Sequence, residues 1–159
     1  MEIIKGESNK ILRSVSQVVS LKRKELYQIF NQMKEILEKA GGVGLAAPQV
    51  GLLYRLFIAD LNLDNKIKIF INPEIINYSK ETEVLEEGCL SLPGLWGLVE
   101  RPKSITVVYR DLEGRKIKKK YSGLASRIIQ HEIDHLDGIL FIDKSRKLYH
   151  QPPVDSKQI

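Results

Sequence analysis

Residues 130–138 read QHEIDHLDG and hold two of the three histidines in the chain, set four residues apart. On a helix, positions i and i+4 differ by only about 40° around the axis, so His131 and His135 project side by side. Glu132 lies roughly 100° from His131 and about 60° from His135, flanking the pair without belonging to it. Leu124, Ile128 and Ile139 read as the apolar surroundings of this face, so the polar groups are expected inside the protein. Two neutral imidazoles in a core need donors or a cation, and two charged ones repel. Whatever fold the chain adopts must supply those partners.

A charged helix that happens to carry two histidines is the bland reading. Glu132 and the apolar neighbours favour the other one, in which the histidines hold a metal and the glutamate acts as base on a metal-activated water. Asp134, on the opposite flank, suits a supporting role around the ligands. A catalytic metal normally takes a third protein ligand and keeps one position open. Cys89 is the only cysteine and lies in EEGCLS. A lone cysteine is more often a small buried hydrophobe, but its glycine-flanked segment lets backbone approach a ligand closely. A Cys/His/His set with one water points to metal-assisted hydrolysis.

The rest of the 159 residues fits one domain with a proper core. Residues 21–40 place Leu26, Ile29, Phe30, Met33, Ile36, Leu37 and Ala40 at helical spacing, with Ser20 as N-cap and Gly41-Gly42 as the stop. LYRLFIAD and KIKIFIN read as strands, the second ended by Asn72-Pro73. A third β-type segment leads into LEEGCLSLPG, which contains a short turn ending in Pro93-Gly94. SITVVYRD and GRKIKKKYS form a hairpin. The last helix runs from Ser122 as N-cap to Asp137. Strands in the middle with a helix on each side predict an α+β fold, small antiparallel or mixed sheets packed around the C-terminal metal-binding helix, with a second helix near the N-terminus. The expected catalytic domain covers residues 1–147, and residues 148–159 are expected to be a mobile polar tail.

Net charge is 25 − 20 = +5, concentrated in RKIKKK at 115–120. No aromatic platform interleaves these residues, so they read as the lysine-rich face of an edge strand and not as a specific nucleic-acid site. No apolar run is long enough to cross a bilayer. The N-terminus lacks an export pattern, and one cysteine cannot form an internal disulfide. The expected location is the cytoplasm.

Three segments in order, GVGLAAPQ at 42–49, EGCLS at 87–91 and QHEIDHL at 130–136, resemble the signature motifs of peptide deformylases. The resemblance implies that Cys89, His131 and His135 hold the metal, with water as fourth ligand. Glu132 would take the proton of that water and later give it to the departing amine. The substrate implied is the N-formylmethionine of a nascent polypeptide, and the products are formate and a free N-terminus. Gln49 would donate its amide to the formyl oxygen together with the backbone N–H of Leu90. Backbone near Val43, Gly44 and Gly88 would pair with the extended peptide like an added strand. By position, Val43, Leu85, Leu124 and Ile128 are nominated for the methionine pocket, each with plain core packing as its alternative. Arg101 either meets the peptide downstream or anchors its loop. The resemblance suggests Fe(2+) as the native ion, with Zn(2+), Ni(2+) or Co(2+) also suited to such a site.

The chemistry agrees. A formamide is a poor electrophile and water a poor nucleophile; a metal lowers the pKa of bound water to about 7. Two preorganised donors for the oxyanion add to this, since losing one costs ~2.7–4 kcal/mol. No insertion separates the first two motifs, which suggests the compact form of the family. A long C-terminal helix is not expected, so a transient ribosome contact made through one is left open, as is a bacterial, phage or organellar origin. Two rivals stand beside this reading. One is an endopeptidase using H-E-x-x-H, disfavoured by the cysteine and glutamine motifs. The other is a basic RNA-binding domain with a structural zinc, which would want four protein ligands when only His150 remains.

Overall fold

Strand β2, Leu56–Ala59, is buried along its whole length and divides the core. Alternate side chains of a strand point to opposite faces. Leu56 and Ile58 join Leu45, Ile69 and Ile71 in one apolar cluster, together with Met33 and Leu37 of helix α1, Arg23–Ala40. Phe57 and Ala59 join Ala46, Phe70, Val107 and Tyr121 in the other, with Ile128, Ile129 and Ile133 of helix α2, Gly123–Leu136. A sheet therefore sits between the two helices, and its apolar run carries no polar alternation because both faces are covered.

The structure is a computed structural model and describes residues 1–151 and Ile159. The covered sheet has five antiparallel strands in the order β1-β2-β3-β6-β7: β1 is Gly44–Ala46, β3 Lys68–Tyr78, β6 Ser104–Arg110 and β7 Lys116–Ser122. A second sheet, β4-β5-β8, is built from Thr82–Cys89, Leu92–Pro102 and Ser145–His150. It packs on a third cluster that includes Leu12, Cys89, Val99 and Phe141. The α+β class holds, with α2 set against strands of both sheets. No helix among the described residues is long and apolar enough to cross a membrane.

Several boundaries differ from the sequence reading. The N-cap of α1 is Lys22, not Ser20; the Glu25 carboxylate accepts the Lys22 N–H at 2.8 Å, and Gly41 ends the helix with φ 68°. Ala40, assigned to the apolar face, is exposed. β3 does not end at Asn72-Pro73. It passes through a bulge there, where Asn72 has φ 50°, and pairs with β6 on both sides of it. The Asn72 side chain accepts the Val19 N–H at 2.7 Å and donates to the Val19 carbonyl at 3.0 Å, which holds the bulge. The turn after Cys89 is Leu90-Ser91, and Pro93-Gly94 already belongs to β5. Leu148 to His150, expected in the tail, form the end of β8 against Leu95–Gly97. Residues 152–158 of that tail lie outside the described residues, and Ile159 is buried. The β6–β7 hairpin forms as read, and β7 with its lysines is one of the two outer strands of its sheet among the described residues.

Candidate metal centre and active site

Helix α2 is buried from Ser126 to Leu136, and its burial comes from Ile128, Ile129, Ile133 and Leu136. Leu124, expected on the buried face, is 46% exposed at the start of the helix, and Ile139 is only half-buried. Across from the helix, β4 ends at Cys89. One donor atom each from Cys89, His131 and His135 lie within 4.8 Å of one another. Cys89 Sγ is 3.2 Å from His135 Nε2. The two imidazole rings are 5.1 Å apart.

The orientation of the His131 ring follows from its neighbour. Glu87 Oε2 lies 2.9 Å from His131 Nδ1. Burial alone would raise the Glu87 pKa, but hydrogen bonds from His131 and Arg101 outweigh it and hold the carboxyl well below the usual range. An ionised carboxylate only accepts, so Nδ1 carries a proton and Nε2 is the ring nitrogen left to meet a metal. That Nε2 is buried without a hydrogen-bond partner among the described residues, as is His135 Nδ1. Burial, with His131 beside it, holds the His135 imidazole neutral, its pKa well below the usual value. Burial pushes the Cys89 thiol up to about 12. A thiol and two imidazoles around one point, with an unpartnered ring nitrogen, fit a divalent cation that would draw off the thiol proton.

Glu132 is fully buried and neither carboxylate oxygen has a hydrogen-bond partner among the described residues. Burial, reinforced by the Glu87 charge, pushes its pKa well above the ordinary carboxylate value. Gly44 makes room for it: a Cβ there would collide with the Glu132 carboxylate. Gln49 sits in a 3-10 turn, Ala47–Val50, that follows β1 directly. Its Oε1 accepts the Ala46 N–H at 2.8 Å, which turns Nε2 toward Cys89 Sγ at 3.5 Å and Ser91 Oγ at 3.2 Å. The amide thus aims its donor at the metal side of the site.

The nominated pocket residues separate into two kinds. Val43 and Ile128 are buried in the cluster between α2 and the sheet. Leu85 is 42% exposed and Leu124 is 46% exposed, so neither is core. Gly88 pairs with Trp96, and a Cβ on it would press on the indole ring at 3.1 Å. Among the described strands, β1 and β4 are each the outer strand of their sheet, which leaves a backbone edge on either side of the site. Of the two roles open to Arg101, the geometry favours the anchor. It is 2% exposed and spent on Glu87 at 2.5 and 3.0 Å and on Asp134 at 2.8 Å. Asp134 also accepts from Lys144 at 2.8 Å.

Glu87 and Arg127 are the residues that the sequence reading missed. Arg127 donates to Glu87 at 2.7 Å and to the carbonyls of Val99 and Glu83. Period-two alternation in β4 puts Glu87 on the same face as Cys89, which could have flagged it.

A family model described as polypeptide deformylase matches residues 1–151. The chain belongs to the polypeptide deformylase family. A peptide deformylase of Treponema pallidum is 44% identical over 133 residues, covering 84% of this chain and 81% of that one. One from Caldicellulosiruptor bescii is 39% identical over 155 residues, covering 98% and 92%. The crystal structure of the Thermotoga maritima deformylase superposes with a TM-score of 0.87 at 40% identity, over 92% of this chain and 99% of that one. A probable deformylase from Synechococcus phage S-SSM7 gives 0.86 at 41%, over 91% and 99%.

Proposed function

We propose that the family's reaction, metal-dependent release of formate from the N-terminal formyl-methionine of nascent polypeptides, is carried out in this chain by Cys89, His131, His135, Glu132, Gln49 and the Leu90 N–H. The observation that carries the assignment is a three-donor metal set whose His131 adjoins a fully buried carboxylate, Glu132, with no hydrogen-bond partner among the described residues. A divalent metal held by Cys89, His131 and His135 would supply Lewis acidity and a water whose pKa is lowered toward ~7. Fe(2+) is the ion we propose, and the donor set suits Zn(2+), Ni(2+) and Co(2+) as well.

Glu132 holds the proton through the reaction. Its raised pKa suits a group that must take a proton at neutral pH and give it back to the leaving amine. Gln49 Nε2 and the Leu90 N–H meet the formyl oxygen and strengthen their hold as charge develops on it. The Gln49 donor is already oriented by the Ala46 N–H, so little reorganisation is needed. The peptide lies extended between the β1 edge near Val43 and Gly44 and the β4 edge near Gly88, with the methionine side chain toward Val43 and Ile128 and flanked by Leu85 and Leu124.

The test is formate release from a formyl-Met peptide, with metal content measured on the same sample. Turnover that tracks the metal and needs the formyl group supports the reading. Cleavage of unformylated peptides at internal bonds would make the chain an endopeptidase instead.

A further inference from the structure

Ile159 is 6% exposed and belongs to the same apolar cluster as Val43 and Ile128. Its carbonyl oxygen accepts the Leu90 N–H at 3.3 Å. Those are the residues assigned above to the methionine side chain and the donor assigned to the formyl oxygen. A branched aliphatic side chain is close in volume to methionine, and swaps of that kind are the ones an apolar pocket tolerates best.

We infer that the Ile159 side chain occupies the substrate's side-chain pocket within its own chain and competes with the formyl-Met peptide; this rests on the functional reading above. The connection is geometrically easy. The Gln151 N–H is held by the Gly94 carbonyl at 3.0 Å, and Ile159 is held at Leu90. Leu90 and Gly94 are four residues apart, a span of at most ~14 Å, whereas the eight residues from Gln151 to Ile159 reach up to ~28 Å. A tethered side chain has an effective concentration in the millimolar range, so even weak docking fills the pocket in much of the population. Substrate must displace it, and apparent affinity falls by the fraction of molecules left open.

The test compares the full chain with Ile159→Asp, whose charge is excluded from an apolar pocket, and with Ile159→Leu, which keeps the contact. KM for a formyl-Met peptide should fall about three- to tenfold in Ile159→Asp, with kcat unchanged, and stay near the parent value in Ile159→Leu. In parallel, the Ile159 methyl resonance of the zinc-loaded protein, identified by its loss in the variants, should sit away from exposed-isoleucine positions and move to them as peptide is added. An unchanged KM in Ile159→Asp overturns the inference. So does a KM that rises with enzyme concentration, which would put the segment in a neighbouring molecule. If no variant releases formate, the deformylase reading falls by itself. The methyl resonance then decides, and an exposed-isoleucine position without ligand overturns the contact.

Discussion

Glu87 Oε2 and His131 Nδ1 lie 2.9 Å apart in a region closed to solvent, and the same carboxylate carries Arg101 and Arg127. This one side chain orients His131 and pairs with two buried guanidinium groups. Through Arg101 it is tied to Asp134, which lies between Glu132 and His135 on α2 and is held in turn by Lys144. The helix that carries the proposed ligands is therefore clamped to β4 and β5 by charge on one side, while its isoleucines pack on the five-stranded sheet.

Glu87→Gln keeps the shape and removes the charge, leaving Arg101 with Asp134 and Arg127 with no ion pair among the described residues. Removing one partner of a buried pair typically costs ~3–5 kcal/mol. Metal affinity should drop ~10- to 100-fold, because glutamine has one accepting oxygen and no charge where both carboxylate oxygens now serve His131 and the arginines. Chemical denaturation and metal titration on the same variant measure the two effects. A variant with parental stability and affinity would mean the network does neither job.

Acidification should reveal the same group. The folded pKa of Glu87 is below its ordinary value of 4.5. A depressed carboxylate contributes stability that is complete above the unfolded pKa and is lost as pH falls toward the folded one. The parent should lose stability as pH drops below about 4.5, and Glu87→Gln should show a shallower acid limb. Melting curves in a pH series compare the slopes, and parallel limbs would rule out Glu87 as the source.

How much of this was legible in the sequence depended on the range of the interaction. His131, His135 and Glu132 are set by helical spacing, so their juxtaposition could be read from five residues. The β6–β7 hairpin was likewise local. Asn72-Pro73 read as a strand end because proline removes a ladder donor; the strand continues because Asn72 ties the bulge to Val19 from a distant segment. β5 was missed because Pro93, Gly94 and Gly97 weaken its local signal. It forms because β4 and β8 pair on both its edges, so tertiary context decides. The contacts of Glu87 with Arg101, Arg127 and His131 span 14, 40 and 44 residues, and no local pattern encodes them.

Glu132→Gln should keep the metal and lose nearly all turnover. Glutamine preserves shape and cannot accept the proton, and general acid–base contributions run ~10² to 10⁴-fold. Gln also removes a buried group whose ionisation is disfavoured, so thermal stability should not fall with activity. Steady-state kinetics beside metal analysis separates the two, and a wild-type rate would show that Glu132 is not the base.

Gln49→Ala should lower kcat far more than it raises KM, by about the 10² to 10³-fold typical of one lost oxyanion donor. The reason is geometric: Nε2 is held toward Cys89 and Ser91 before substrate arrives, and its best hydrogen bond forms with the developing charge. A pure KM effect would instead mark Gln49 as a ground-state binder.

The ion itself gives the last prediction. A donor set of one cysteine and two histidines suits iron, zinc, nickel or cobalt, so lifetime in air and not geometry should distinguish the loaded forms. Ferrous iron with an open position beside a thiolate is exposed to dioxygen, and oxidation of the metal or of the Cys89 sulfur destroys the donor set. Cys89 is fully buried, so oxidant should reach it through the site and not from the surface. Zinc has no redox chemistry and should survive air, and nickel should resist it better than iron. Protein loaded anaerobically with iron should therefore lose activity in air within an exposure that leaves the nickel form active. Mass analysis of Cys89 and metal content, followed through the decay, should show change in one or both. Equal lifetimes for the two forms, or decay with both unaltered, would remove oxidation at this site as the cause.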